Sequence, residues 1–322
     1  MSSRLHRFLA ALAALSMSFF VPSHSRACSV CQCGDPLFSS TGSNMQPAGA
    51  FSFYLDGQSS IKSSGSLPDP DDAGETGDRE KSFDREMTFY GSWTPLPRLT
   101  LSASVPFKWI RIAESSEGET DDHTNRGFGD AAVYLTGVVW QDLETNPISW
   151  VDVRAMMKMP TGQSEKTIAS EEDPHIQLGT GSWDFGFGVG AGHHFERFSL
   201  YGSLFYRINT LGSLDYQYGD VFLANMIATH EAFPTFGGIL LRPGAEINFR
   251  YAQKDEFHGV HYQHSGGSIV YVTPVLEIPF TTNAEHRAPW LRMSVRMPLG
   301  DGGLYGHQHE GFIYNVGIGL AF

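Results

Sequence analysis

The chain closes on Phe-Ile-Tyr-Asn-Val-Gly-Ile-Gly-Leu-Ala-Phe, residues 312–322, and this stretch decides the fold. Every second residue is apolar, namely Phe312, Tyr314, Val316, Ile318, Leu320 and Phe322. From Asn315 onward, the residues between them are small or polar: Asn315, Gly317, Gly319 and Ala321. Because successive side chains of a strand point to opposite faces, a period of two predicts a strand with one apolar face.

A strand that alternates in this way and ends on an aromatic residue resembles the C-terminal signature of bacterial outer-membrane β-barrels. The alternative is the last edge strand of a soluble β-sandwich. The rest of the chain has to decide between these two folds.

The same alternation recurs along the chain. Ten further segments alternate apolar with polar or small residues: 51–56, 86–93, 99–109, 130–139, 151–158, 183–189, 198–208, 239–250, 270–278 and 291–297. The segment 221–227 is also expected to be a strand, but its phase is ambiguous. Together with the final strand, the pattern predicts an all-β fold of about 12 strands.

The connections between the predicted strands alternate in length. Long connections are expected at 60–82, 113–126, 160–178, 210–217, 254–266 and 300–311, and short ones at 95–97, 141–147, 193–197, 231–236 and 281–288. Outer-membrane barrels have short periplasmic turns, longer external loops and an even number of strands. A soluble sandwich has no reason to alternate its loop lengths. The sequence therefore predicts an antiparallel transmembrane β-barrel.

The N-terminal residues predict export. Arg4 and Arg7 precede an apolar run over 8–21 that is too short to span a bilayer, and small residues follow at Ser25 and Ala27. We expect a signal peptide over 1–27, a Cys-containing periplasmic segment over 28–46 and an outer-membrane barrel over 47–322. A lipid attached to Cys28 is the alternative for the mature N-terminus, although residues 25 and 26 fit a lipobox poorly.

The overall charge excludes one class of partner. The chain carries 35 acidic and 22 basic residues, for a net charge of −13. Nucleic-acid binders need basic patches, so nucleic acid is not an expected partner. The expected partners are outer-membrane lipid, the outer-membrane assembly machinery and a small solute or cation.

Charged residues occupy the second face of the predicted strands and should line the lumen. The candidate lumen residues are Lys108, Arg154, Lys158, Arg207, Arg242, Glu246, Arg250, Arg292 and Arg296, together with Asp56, Glu86, Asp130, Asp152, Asp184 and Glu277. Barrels of about eight strands are filled by side chains and those of 16 or more leave an aqueous channel. A barrel of about 12 strands lies between these cases, so an open pore and a filled barrel both remain possible.

Five motifs at strand ends carry a family resemblance. They are Gly127-Phe-Gly-Asp130, Lys158-Met-Pro-Thr-Gly162, Gly179-Thr-Gly-Ser-Trp-Asp184, Ser265-Gly-Gly267 with Thr273-Pro274, and Arg296-Met-Pro-Leu299. Their order and spacing over about 85–322 resemble the outer-membrane family named for the meta-pathway of phenol degradation. The resemblance implies a barrel with a transport role and does not imply phenol as the substrate.

Two groups of residues suggest a transition metal, Cu or Zn, as a cofactor. Cys28, Cys31 and Cys33 could bind a soft metal, and a disulfide with one thiol left over is the alternative. Imidazole ligands cluster in expected external loops, at His258, His261, His264, His307 and His309. Here the alternative is that loops are simply polar.

Acidic residues crowd the same loops. They are Asp69, Asp71, Asp72, Glu75, Glu114, Glu117, Glu119, Asp121, Asp122, Glu171, Glu172 and Asp173. An acidic mouth concentrates cations.

The sequence favours passage of small polar solutes or ions over the other functions that we considered. A metal-handling barrel and a non-conducting surface barrel are the alternatives. No nucleophile elbow or metal-hydrolase spacing is present, so we do not expect an enzyme.

Overall fold

The computed structural model describes residues 48–65, 79–116, 119–144, 147–166, 174–234, 239–261, 265–280, 289–300, 303–304 and 308–322. The predicted signal peptide and the Cys-containing segment lie outside these ranges. Within them, no helix has the length and apolar character needed to cross a membrane.

Nearly all of the regular structure is β-strand. Two 3-10 turns lie at Pro174–Ile176 and Ser213–Asp215. The strands are β1 Phe51–Gly65, β2 Arg79–Leu96, β3 Leu99–Ser116, β4 Glu119–Phe128, β5 Ala132–Gln141, β6 Ser149–Lys158, β7 Asp184–His194, β8 Phe198–Ile208, β9 Tyr216–Gln217, β10 Val221–His230, β11 Phe233–Pro234, β12 Leu240–Ala252, β13 Glu256–Phe257, β14 Val260–His261, β15 Gly267–Pro279, β16 Trp290–Pro298, β17 Gly303–Leu304, β18 Gln308–Glu310 and β19 Ile313–Ala321.

The strands close into one antiparallel barrel of 12 positions, which confirms the predicted fold. Each long strand pairs with its neighbours in the chain, and β4 and β5 share a single position beside β3. The barrel closes where β1 pairs with both β2 and β19. Phe51 and Phe322 exchange backbone hydrogen bonds of 2.8 and 2.9 Å, so the last residue of the chain completes the seam.

The two faces of the strands differ as the alternation predicted. In β19, Tyr314, Val316, Ile318 and Leu320 are exposed on the outer face, while Asn315 is buried on the inner face. The outer apolar residues of the other strands are exposed in the same way, for example Phe53, Leu101 and Phe187. An apolar outer face and a polar inner face are what a lipid-embedded barrel requires.

The hairpins extend further at one end of the barrel than the sequence suggested. Most of the predicted loop 113–126 is a β-hairpin, because β3 runs to Ser116 and β4 begins at Glu119. Paired β-strands extend β1 and β2 in the same way, to Gly65 and from Arg79. We call this end, with the long connections, the loop end, and the opposite end the turn end.

The structure also fixes the phase of β10. Val221, Leu223 and Ile227 point into the barrel and are buried, whereas Met226 lies exposed on the outer face. The alternation in β10 was ambiguous because both of its faces carry apolar residues. The interior is therefore less uniformly polar than the other strands indicated.

Candidate functional site: the barrel interior

All nine candidate lumen residues lie on the inner face of the barrel. Lys108 comes from β3, Arg154 and Lys158 from β6, Arg207 from β8, Arg242, Glu246 and Arg250 from β12, and Arg292 and Arg296 from β16. The structure brings most of them together with acids of neighbouring strands.

The first charged cluster joins β12, β15 and β16 in the turn-end half of the interior. Arg292 binds Glu246, and its Nη1 lies 3.0 Å from Glu277 Oε1. Arg242 also reaches Glu277, at 3.3 Å. Glu246 is 1% exposed. Such a charge is stable in the interior only because the guanidinium beside it compensates for lost water.

The second charged cluster lies on β6 and β8. Arg154 Nε lies 2.9 Å from Asp152 Oδ1, and the same arginine donates to the hydroxyl of Tyr201. The Tyr201 hydroxyl lies 3.1 Å from Asp152 Oδ2, which closes a triangle of three buried groups. Each polar group of the triangle is thus satisfied from within the wall.

A glycine-rich face on β7 makes room for this cluster. The ring of Phe205 lies over Gly186 and Gly188, and Tyr201 lies over Gly190. A Cβ atom built on Gly188 would come within 2.7 Å of the Phe205 ring. The glycines therefore let large side chains of β8 lie flat against the inner wall.

A buried apolar cluster occupies the interior beside these charges. Its members come from β5, β6, β8, β10 and β12: Ala132, Met156, Phe205, Val221, Leu223 and Ala252. Tyr134 and Tyr218 pack against it. The wall thus combines ion pairs with an apolar patch, and the sequence predicted only the former.

Three of the motifs meet at the loop end. A Cβ atom on Gly162 would lie 2.8 Å from backbone atoms of both Gly129 and Gly179, so all three backbones are in close contact. The carboxylate of Asp130 accepts hydrogen bonds from the backbone N–H of Gly162 at 2.9 Å and of Thr180 at 2.8 Å. Asp130 therefore holds the β6–β7 connection against the break between β4 and β5.

Lys158 completes this junction. Its ammonium group lies 3.0 Å from Asp130 Oδ2 and 2.6 Å from Asp184 Oδ2. Asp130 lies at the break between β4 and β5 and Asp184 at the start of β7, and the cation at the end of β6 contacts both carboxylates. A compact polar junction thus fixes where this connection starts and ends.

Residues 174–180, which we call the mouth segment, run from this junction across the loop end. Ile176 and Leu178 pack against Ile110 and Ile112 of β3. The Lys108 ammonium donates to the carbonyl of Leu178 at 2.9 Å.

At its other side, the mouth segment contacts a distant part of the barrel. The Tyr218 hydroxyl donates to the Pro174 carbonyl at 3.1 Å. Tyr218 belongs to the connection between β8 and β10, far around the barrel from β3. The mouth segment therefore crosses the loop end and covers the interior there.

The sequence alone did not identify several residues of the interior. Tyr54 and Tyr201 are buried partners of aspartates, and Glu310 binds Arg250 at 3.1 Å and also accepts from Tyr271. Glu310 falls in a predicted loop, so its position gave no signal. The tyrosines stand on the polar phase of their strands, and that phase could have identified them.

Only part of the predicted metal sites lies in the described part of the chain. His258 Nδ1 lies 3.4 Å from an Asp215 oxygen, and His261 Nδ1 lies 3.2 Å from a Glu256 oxygen. Among the residues that the structure describes, no three His, Cys, Asp or Glu side chains form a group able to hold an ion. Cys28, Cys31, Cys33, His264 and His307 lie outside those residues, and His309 is described only as backbone of β18.

Comparison with known proteins supports this architecture. A family model described as "Putative MetA-pathway of phenol degradation" matches residues 71–284. No curated protein matches the chain.

Among solved structures, an outer membrane channel from Pseudomonas putida F1 superposes with a TM-score of 0.59 at 16% identity, over 86% of this chain and 97% of that one. The β domain of the Bordetella autotransporter BrkA gives 0.45 at 8% identity, over 85% and 100% of the two chains. The monoaromatic hydrocarbon channel TodX, as its deltaS2S3 mutant, gives 0.40 at 11%, over 93% and 96%.

Proposed function

Since the chain belongs to the family described as the putative MetA-pathway of phenol degradation, we propose that it is an outer-membrane channel for small polar solutes or ions. The observation that carries the proposal is the character of the inner wall. Charged side chains of both signs line it from Arg242 and Arg292 near the turn end to Lys158 near the loop end.

The ion pairs between these charges determine the width and the charge selectivity of the proposed passage. Because Glu246, Asp152 and Arg154 are buried in ion pairs, they narrow the interior instead of bordering a wide water-filled pore. A narrow passage of balanced charge admits small solutes without strong preference for one sign. Selectivity for cations then arises at the acidic loops, which concentrate them at the mouth.

The mouth segment lets the proposed passage open and close. It is held by side-chain hydrogen bonds, by the backbone N–H groups of Leu178 and Gly179 that donate to Gln163, and by apolar contacts, and not by strand pairing with the barrel wall. Contacts of this kind break without disturbing the barrel wall. These contacts support a channel that opens when the mouth segment moves away.

Reconstitution tests the proposal directly. Purified barrel in planar bilayers should give small, salt-dependent conductance steps, and liposomes carrying it should swell in small neutral solutes. Boiled and unboiled samples on a detergent gel establish that the barrel is folded. If folded wild type and an Asp130→Ala variant both fail to conduct and to admit solutes, the barrel is a non-conducting surface protein and the proposal is wrong.

A second proposal concerns metal binding. We propose that His258 and His261 form part of a Cu or Zn site, because both lie in one short hairpin and each faces a carboxylate. Zn titration of wild type and of a His258→Ala/His261→Ala variant should differ in stoichiometry. A Cys28→Ser/Cys31→Ser/Cys33→Ser variant tests the N-terminal site separately, and equal stoichiometry in all three proteins would exclude both.

A further inference from the structure

One inward-facing cation differs from all the others in its surroundings. Arg296 lies on the inner face of β16 and is 9% exposed. Within the described part of the chain, no group donates to it, accepts from it or forms an ion pair with it. The other inward-facing basic side chains all have partners: Lys62, Lys108, Arg154, Lys158, Arg207, Arg242, Arg250 and Arg292.

The acids near Arg296 already have other partners. Asp56 of β1 is the carboxylate whose charge it feels, and that group accepts hydrogen bonds from Tyr54 at 3.0 Å and Asn315 at 3.1 Å. Glu310 is bound by Arg250 and Tyr271. Asp56 thus partly compensates the charge of Arg296, but among the described residues the N–H groups of Arg296 have no acceptor.

The guanidinium of Arg296 is open to an acceptor from outside the chain, since none of its nitrogen atoms is among the buried side-chain atoms without a hydrogen bond. It carries five N–H donors in a rigid fork that matches the two oxygens of a carboxylate, and such charge-assisted pairs are among the strongest hydrogen bonds in proteins. An anion from outside the chain would supply the acceptor that the described residues do not.

The next strand offers a second polar atom without a partner. Asn315 Oδ1 is buried and receives no hydrogen bond. Arg296 pairs with Ile313 across the ladder, and Asn315 lies two residues further along the same inner face. An ionised carboxylate carries no donor for this oxygen, so the contact with an anion falls to Arg296 alone.

Apolar side chains border this pair on the loop-end side. Ile269, Tyr271 and Ile313 form one buried cluster on β15 and β19. Tyr271 stands near Arg296 on the neighbouring strand, since Val272 pairs with Met297. Arg296 thus has a surface of apolar side chains beside it.

We propose that Arg296 binds the carboxylate of a small organic anion whose apolar body packs against Ile269, Tyr271 and Ile313. The proposal rests on the channel function, since it names the class of solute held inside the barrel. Binding is nevertheless measured without passage, so the two ideas can fail separately.

Calorimetric titration of the purified, detergent-solubilised full barrel tests this site, with benzoate as the probe. Benzamide has the same shape without the charge, and we expect wild type to bind benzoate and not benzamide. Losing a hydrogen-bonded charge pair should weaken benzoate binding about 10- to 100-fold in Arg296→Gln. Arg296→Lys keeps the charge without the fork and should fall between the two.

Arg242→Gln is the matched control, because it removes an interior guanidinium that already has an acid partner. Its benzoate affinity should stay within about twofold of wild type. Equal affinity for benzoate and benzamide in wild type overturns the proposal without any variant. Unchanged affinity in folded Arg296→Gln, or an equal loss in Arg242→Gln, overturns it as well.

Discussion

Replacing Asp130 by alanine should release the mouth segment from the barrel. The Asp130 carboxylate accepts from the backbone N–H groups of Gly162 and Thr180 and from Lys158. In the Asp130→Ala variant, Lys158 keeps Asp184 at 2.6 Å, but both backbone donors lose their acceptor. We expect the segment to move away from the barrel so that water hydrates them.

The size of the effect follows from these two donors. A donor left without a partner costs about 1–3 kcal/mol when buried. Gly162 and Thr180 are only partly buried, so we take about 1–1.5 kcal/mol for each. A total of about 2–3 kcal/mol shifts the balance between closed and open forms roughly 30- to 150-fold.

Hydrogen–deuterium exchange in detergent measures this shift, because backbone amides exchange through local opening. Amides of 176–180 should exchange faster by about that factor, while amides of β12 and β15 keep their protection. Conductance should rise in parallel.

Asp142→Ala is the control. Asp142 also accepts from a backbone N–H, that of Ile148 at 2.9 Å, but it lies in the short connection between β5 and β6 at the turn end. The reasoning is refuted if residues 176–180 keep wild-type protection in Asp130→Ala, or lose it equally in Asp142→Ala.

Three further outcomes follow from the wall and the hairpins. Arg292→Ala leaves the Glu246 charge buried without its partner and should destabilise the barrel by about 3–5 kcal/mol, measured by urea unfolding in lipid. A double variant that also carries Glu246→Leu should recover most of the lost stability. Gly188→Val should impair assembly on heat-modifiability gels, because the ring lying over that glycine leaves no room for a side chain, and normal assembly would contradict this packing. The hydrogen bond from Arg111 lowers the pKa of Asp122. This ion pair should therefore stabilise the exposed β3–β4 hairpin at any pH above the ordinary aspartate pKa, and the stabilisation should be lost as the pH falls through the lowered pKa. An ordinary Asp122 pKa in carboxyl NMR would contradict this prediction.

The fold was predictable because a barrel in lipid imposes its pattern locally. Phe53, Leu101 and Ile318 face lipid, and every strand needs the same alternation to satisfy the apolar outer environment. The phase of β10 was not predictable, because Val221 and Leu223 put apolar groups inside the barrel. An alternation rule assumes that the interior is polar, and it fails where the interior is not.

The positions of the interior charges could be predicted, but their partners could not. The period of two placed Arg154 and Arg292 on the inner face from the sequence alone. It could not show that Tyr201 joins Arg154, since the two are 47 residues apart and meet across β7. Partner choice depends on the register of the ladders, which the hydrogen bonds of the whole sheet determine.

The sequence by itself determined an antiparallel barrel of about 12 strands, its apolar outer face and the charged character of its lumen. Each of these features follows from the alternation of residues that are neighbours in the chain. Only the tertiary structure decided that Gly129, Gly162 and Gly179 meet, that Asp130 fixes the mouth segment, and that Arg296 has no acceptor among the described residues. These features depend on how distant segments approach one another around a closed sheet. The strand pairing and the curvature of the closed sheet determine which distant segments come into contact. Neither can be predicted from a local pattern of residues.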